Sequence, residues 1–408
     1  MMNNKLKNIL IVVCIVVAML ATSLYTFNAG RNSVLKQNQD YVKSVVSEKE
    51  IKFFDEKTAN TLGEIYNAIG SEYYKDVDND TLNEGILKGV VESLEDPYSE
   101  YFNEEEYKEF NQSSEGKYSG VGIVVSPGED GFITVVSTIK DTPAHKAGIK
   151  SDDKIIKVDG VEYTADKMNE AVKVMRGKEG TKVKLEILRK TSRKMETLTF
   201  ELTRQTIKLN TAEGELLKDN IGYISVSEFD EPTYNDFVKV YKELKNKGMK
   251  KLIIDLRGNP GGLLNVCAEL ADFFLDKGTI VYTSDKNGNK EYLYSDDAAE
   301  DIPLVVLVNK GSASASEIVT GAFKDRGRAK IVGTQTFGKG IVQRIFPLSN
   351  GRAVKLTISE YYTPNGNNIH GTGIEPDYVV ELPEDIKGIG VKHLKEDTQL
   401  QKAIELLK

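Results

Sequence analysis

Ser314 and Lys339 are the residues whose types and spacing could perform covalent chemistry. Ser314 sits in Gly311-Ser-Ala-Ser-Ala-Ser-Glu317, and Lys339 in Thr336-Phe-Gly-Lys-Gly340. A serine hydroxyl is a weak nucleophile until a neighbouring group removes its proton. A lysine can do so only when neutral. Its free pKa of about 10.4 must then fall by roughly 3 units, which costs about 4 to 5 kcal/mol. Burial among apolar groups is the usual source of such a shift. Phe337, Gly338, Gly340, Ile341 and Val342 surround Lys339, with no carboxylate within four residues on either side. Gln343 lies four residues on; in a strand it shares the face of Lys339, so its amide could orient the amine.

Each half also has a plainer reading. Ser314-x-x-Glu317 before Ile318, Val319, Ala322 and Phe323 spells a capping box opening an amphipathic helix. Gly333-x4-Gly338-Lys339 matches the start of a phosphate-binding loop. The match fails where Gly340 replaces the Ser or Thr that would hold Mg²⁺, and where residues 341–346 read as a strand and not a helix.

The two halves together resemble the C-terminal processing peptidases (tail-specific proteases, peptidase family S41). The resemblance rests on Asn309-Lys-Gly-Ser-Ala-Ser-Ala-Ser-Glu-Ile, Asp325-x-Gly-Arg-Ala329, Val332-Gly333 and Thr336-Phe-Gly-Lys-Gly-x-Val-Gln343. It extends over nearly the whole chain beyond the N-terminal apolar run. It implies Ser314 as nucleophile, Lys339 as general base 25 residues later, and Gln343 as the assisting amide. It also implies an α/β fold: a crotonase-like (ClpP/crotonase-type) protease core carrying an inserted PDZ domain. A helical N-terminal region and a single N-terminal transmembrane segment would complete the chain. The implied activity is a serine endopeptidase that forms an acyl-enzyme, with no cofactor.

These residues need elements to hold them. At 408 residues the chain suggests two or three domains. A hydrophobic share of 40% with 28% charged residues describes a globular body, and a net charge of −8 gives no electrostatic case for nucleic acid. Cys14 and Cys267 are far apart, and with three histidines and neither CxxC nor HExxH no metal is expected.

Residues 1–30 carry Lys5 and Lys7 before an uncharged run that reaches Gly30, long enough to span a bilayer. With the basic residues first, the N-terminus is expected in the cytoplasm and the body outside, on a single-pass signal anchor in the cell membrane. A cleaved signal peptide and secretion is the alternative. Residues 31–54 read as a tether. Residues 55–112 carry helical spacing (Leu62, Ile65, Tyr66, Ile69; then Leu82, Ile86, Leu87, Val90, Val91, Leu94). Such helices pack on their own body or on a second copy. The resemblance implies the second, a homodimer built with the C-terminal helix (384–408).

Residues 113–205 alternate short strands with Gly or Pro turns, and Tyr118-Ser-Gly-Val-Gly-Ile123 opens them. This resembles a PDZ domain. Glycines let backbone N–H groups crowd round a carboxylate, and the peptide adds as an edge strand. Gly120, Val121, Gly122 and Ile123 would take the carboxylate of a free, apolar C-terminus of a substrate protein. Val172 and Met175, with Val121 and Ile123, would take its last side chain. The resemblance places a regulatory arginine at Arg176.

Residues 206–383 alternate apolar strands (221–226, 251–256, 304–308) with helices (232–247, 263–275), the pattern of an α/β core. Arg257-Gly-Asn-Pro-Gly-Gly262 and residues 309–314 both come directly after strand ends, where such cores place their ligands. By resemblance the Gly262 and Ala315 N–H groups form an oxyanion hole. Asp325 is expected to pair with Arg326 or Arg328. His370 is the competing base, with nothing in the sequence placing it near Ser314. Two other classes stay open: a PDZ scaffold that binds and never cuts, and an acyl-thioester enzyme on the same core.

Overall fold

The computed structural model describes residues 55–128, 130–191 and 194–408. The anchor and tether expected over residues 1–54 fall outside the described residues. Among the described residues no helix is long and apolar enough to cross a membrane. The chain forms two compact units. One comprises residues up to 107 together with 343–357, and the other comprises 108–342 with 358–408.

In the first unit, Asp55 caps the helix Glu56–Glu72 by accepting the Thr58 N–H at 2.7 Å. A second helix, Asn79–Glu92, comes next, and Tyr66 Oη donates to Asn83 Oδ1 at 2.8 Å between them. The first helix buries no residue, and Ile65, Val90 and Leu94 are exposed, so the apolar spacing seen in the sequence is not consumed within this unit. The strand Glu100–Phe102 pairs antiparallel with residues 353–355 and buries Tyr101 and Phe102.

The second unit holds, among others, two six-stranded sheets with separate cores. In the first, strands Ile123–Pro127, Ile133–Thr138, Lys154–Val158, Lys182–Lys190 and Met195–Thr203 lie side by side in that order. Ile123–Pro127 is therefore an edge strand. Alternate residues (Ile133, Val135, Ile155, Leu185, Ile187) point inward with the helix Met168–Met175. This edge strand starts only after Gly122, since the pairing with Ile133–Thr138 begins at Ile123 opposite Thr138.

The other sheet has the order Ala212–Leu216, Ile221–Val226, Lys251–Asp255, Leu304–Val308, Lys330–Gly333, Tyr378–Val379. Its first pair is antiparallel and the rest are parallel. Helices Thr233–Asn246, Leu264–Asp272 and Ala315–Asp325 cover one face, against Ile224, Ile254, Val306 and Ile331. The helix Thr398–Leu406 covers the other, where Leu400 and Ala403 meet Ile253, Val305 and Leu307. Every residue of Leu304–Val308 is buried. That is why it reads as a continuous apolar run and not as an alternating one.

Candidate active site

The strands Lys251–Asp255 and Leu304–Val308 are parallel neighbours, with Leu252 opposite Leu304 and Asp255 opposite Leu307. Their C-terminal ends therefore release loops 257–262 and 309–314 side by side. Four hydrogen bonds tie these two segments and their flanks together. Gly258 N–H donates to Asn309 Oδ1 at 2.9 Å and Ser312 Oγ to the Leu256 carbonyl at 2.7 Å. Ala313 N–H and Ser316 Oγ both donate to the Asn259 carbonyl, each at 3.0 Å. Asn259, Asn309, Ser312 and Ser316 carry no signal of this role in the sequence, since their partners lie on a different strand end.

Ser314 caps the helix Ala315–Asp325 with φ 53° and ψ −114°, a conformation costly for a residue with a Cβ. It turns the chain sharply from loop into helix and leaves Ser314 half-buried. Gly261 and Gly262 are required beside it. A Cβ on Gly261 would lie 2.8 Å from Ser314 Cβ and 3.0 Å from Ala315 N. One on Gly262 would lie 2.3 Å from the Phe229 carbonyl oxygen. Phe229 holds this turn from outside: its N–H donates to the Gly261 carbonyl at 2.8 Å, and its carbonyl accepts Leu263 N–H at 2.7 Å. The N–H groups of Gly262 and Ala315 bond no acceptor among the described residues. Two unspent donors and a half-buried hydroxyl thus meet at a helix N-terminus, an arrangement suited to a developing oxyanion.

Lys339 is brought to this place by Glu317. The Glu317 carboxylate is fully buried. Its Oε2 accepts Ser314 N–H and Lys339 N–H, both at 2.9 Å. Its Oε1 accepts Thr336 Oγ1 at 2.5 Å and Gly338 N–H at 2.7 Å. The capping-box reading found the first of these bonds. The other three reach residues 19 to 22 positions away, beyond any local pattern. Tyr361 adds a second tie. Its N–H donates to the Gly340 carbonyl at 3.0 Å and its hydroxyl to the Ser314 carbonyl at 3.2 Å. Phe337 N–H also donates to the Ser312 carbonyl at 3.0 Å, so one carboxylate, one tyrosine and one direct backbone bond join the loops of Ser314 and Lys339.

Three expectations need correction. Lys339 shares no strand face with Gln343, because the strand Ile341–Pro347 begins after it; Gly338 at φ 93° and the bonds to Glu317 keep 336–340 out of extended pairing. The surroundings of Lys339 are not wholly apolar, since Glu317 arrives from another element. Asp325 pairs with neither arginine: its Oδ2 accepts Asn365 N–H at 2.9 Å, Arg326 goes to Asp276, and Arg328 to three carbonyls. Gln343 belongs to the first unit, where its Nε2 donates to Thr357 Oγ1 at 3.3 Å. His370 is exposed, with its backbone against Gly340.

Gly120, Val121, Gly122, Ile123, Val172, Met175 and Arg176 line one cavity of about 220 Å³ in the domain of the first sheet, together with Tyr118 and Leu209. The edge strand Ile123–Pro127 contributes Ile123 and Val124 to its wall. The N–H groups of Val121 and Gly122 bond no acceptor among the described residues, while the Val121 and Gly122 carbonyls are taken by Ala144 and Ile139. The site offers donors to an anion beside an apolar floor. The Arg176 guanidinium lies over the Tyr118 ring at 5.2 Å and acts electrostatically on Glu228. Glu228 and Asp230 flank Phe229. Burial raises the Glu228 carboxyl, with Arg176 opposing. Burial, and then the neighbouring Glu228, push Asp230 up to about 7.

Comparison with known proteins agrees with this anatomy. Residues 220–380 match peptidase family S41, residues 111–188 match the PDZ domain, and residues 17–106 match the activating protease CtpB N-terminal domain. The chain is 38% identical over 385 residues to the carboxy-terminal processing protease CtpA of Bacillus subtilis, covering 94% of this chain and 79% of that one. It is 37% identical over 373 residues to CtpB of the same organism, covering 90% and 77%. It is 41% identical over 338 residues to the carboxy-terminal-processing protease of Bartonella bacilliformis, covering 81% and 77%. Among solved structures, the photosystem II D1 C-terminal processing protease is similar at TM-score 0.51 and 27% identity, over 87% of this chain and 95% of that one.

Proposed function

This chain belongs to peptidase family S41, as a carboxy-terminal processing protease of the serine type with a PDZ domain, and on that premise we propose that Ser314 and Lys339 form its catalytic dyad. The observation that carries the reading is the single buried carboxylate of Glu317, bonded to the backbone of both residues. Ser314 Oγ attacks the carbonyl carbon of a peptide bond while its proton passes to neutral Lys339 Nζ. The Gly262 and Ala315 N–H groups receive the oxyanion. The lysine then gives its proton to the departing amide nitrogen, leaving an acyl-enzyme. Water attacks this ester as Lys339 accepts its proton, and Lys339 then gives that proton to the departing Ser314 Oγ, which restores the serine hydroxyl and the neutral amine. By resemblance, Gln343 is the assisting amide of the dyad.

Substrate choice is set by the cavity at Gly120 to Ile123. It captures the free carboxylate of an apolar C-terminus, Val172 and Met175 hold the last side chain, and the peptide extends the sheet at its edge strand. Arg176 serves regulation there. The core takes the crotonase-like arrangement. The exposed apolar residues of the first unit's helices meet a second copy in a homodimer, and residues 1–30 anchor the body on the outer side of the cell membrane. The test compares the parent with Ser314→Ala on an unfolded protein whose apolar C-terminus is either free or amidated. Cleavage by the parent alone, lost on amidation, is expected. Equal cleavage by both proteins contradicts the nucleophile; equal cleavage of both termini contradicts carboxylate capture.

A further inference from the structure

Arg257 opens the loop that carries Gly261 and Gly262, and its side chain has no exposure. All five of its N–H donors are committed, the full inventory of a guanidinium. Nε donates to Asp255 Oδ1 at 2.9 Å and Nη2 to Asp255 Oδ2 at 2.6 Å. Nη1 and Nη2 donate to Asp397 Oδ1 and Oδ2, both at 2.8 Å, and Nη1 also to Gln399 Oε1 at 2.9 Å. Asp397 and Gln399 lie about 140 residues away in sequence, at the start of the helix Thr398–Leu406 on the opposite face of the sheet. Asp397 is held in turn by Gly390 N–H at 2.7 Å and Leu400 N–H at 2.9 Å.

Burying one cation with two carboxylates is costly, and apolar residues of like volume would often serve stability as well or better. What the cluster supplies is a fixed direction. A planar fork gripped on two sides cannot rotate, and the main chain leaving it reaches Asn259 in two residues. Asn259 is the residue whose carbonyl holds Ala313 N–H and Ser316 Oγ, on either side of Ser314.

From this geometry we propose that Asp397 is a positioning residue of the proteolytic site, acting through Arg257 to fix the 257–262 loop against Ser314. The C-terminal segment is thereby part of the oxyanion hole's support, although it touches no reacting atom. This inference rests on the assignment of Ser314 and Gly262 above.

The test uses the full chain and a quenched peptide with a free apolar C-terminus, with Asp397→Asn, Gln399→Ala and Ser314→Ala compared to the parent. Four quantities are read: kcat, KM, the rate at which a fluorophosphonate labels Ser314, and the melting temperature. An asparagine at 397 turns an amide N–H₂ toward the guanidinium where an acceptor stood. A loop displaced by a fraction of an ångström lowers kcat and the labelling rate together, by about 10- to 100-fold. KM stays within about threefold, since the peptide-capture cavity is elsewhere. Gln399→Ala removes one acceptor of five and lowers kcat by a smaller factor, about two- to tenfold, on the same reasoning. A folded Asp397→Asn chain with the parent's kcat and labelling rate, whatever its melting temperature, overturns the proposal and leaves the cluster a merely structural one. Should Asp397→Asn not fold, parent-like kcat in Gln399→Ala overturns it instead. If Ser314→Ala cleaves as fast as the parent, it is the nucleophile assignment that fails.

Discussion

Replacing Glu317 with glutamine exchanges a single heavy atom and should cripple the site, for a reason that can be worked from its bonds. All four partners of the carboxylate are donors: Ser314 N–H, Lys339 N–H, Thr336 Oγ1 and Gly338 N–H. A carboxylate accepts at both oxygens, whereas an amide accepts at one end and donates at the other. The better placement keeps the amide oxygen toward Ser314 and Lys339. The N–H₂ then faces Thr336, whose hydroxyl can rotate to accept, and Gly338 N–H, which cannot. One buried donor is orphaned, costing about 1–3 kcal/mol, and two bonds lose their charge assistance, about 1 kcal/mol more. The expected loss of stability is therefore about 2–4 kcal/mol. The strain falls on the two loops that bear Ser314 and Lys339, so kcat is expected to drop by about 100-fold while KM holds. Urea unfolding and steady-state kinetics on the same preparations read both quantities. A Glu317→Gln chain with unchanged stability and unchanged kcat would refute the claim that this carboxylate joins the two loops.

Single contacts predict further outcomes. Gly261→Ala places a Cβ 2.8 Å from Ser314 Cβ and 2.9 Å from the Ala313 carbonyl oxygen, and kcat should fall by about 100-fold or more, the loss typical of a damaged oxyanion site. Peptide binding to the cavity at Val172 should persist in that variant, measurable by fluorescence anisotropy. Val172→Asp puts a carboxylate where a peptide's last apolar side chain is proposed to rest. It should raise KM by about tenfold or more with kcat little changed, a factor expected for an unpaired charge in an apolar pocket. Asp230 gives a pH signature. Its folded value, near 7, lies above the unfolded one near 3.8, so the native state holds the extra proton between them. Stability from this group is highest below about pH 4 and declines as pH rises towards 7, by up to about 4 kcal/mol. Asp230→Asn should raise the melting temperature at pH 8 and leave it nearly unchanged at pH 4; equal shifts at both would contradict the burial argument.

The parts legible in the sequence were those whose physics is local. Leu304–Val308 and Ile221–Val226 are buried on both faces, so their apolar runs mark the strands end to end. The helix at Ala315 announces itself through Ser314-x-x-Glu317. The glycines at 120 and 122 mark a turn before an edge strand, and the residues singled out around them line a single cavity. Contacts between distant strand ends left no trace. Arg257 looks like a loop arginine until Asp397 arrives from 140 residues away. Glu317 looks like a cap because only its bond to Ser314 is local. Lys339 and Gln343 share no strand face because tertiary bonds at 338 and 339 hold Lys339 out of the strand that starts at Ile341.

The most direct test of the Ser314–Lys339 assignment is the pH dependence of covalent labelling. The full chain and its Lys339→Ala variant would be reacted with a fluorophosphonate from about pH 5 to about pH 10, spanning the range over which a depressed lysine titrates. The modified residue would be located by peptide mass spectrometry. One adduct per chain is expected, on Ser314, formed at a rate that rises as Lys339 loses its proton, with Lys339→Ala slower by about 100-fold or more. An adduct elsewhere, or the same rate in both proteins, would contradict the assignment.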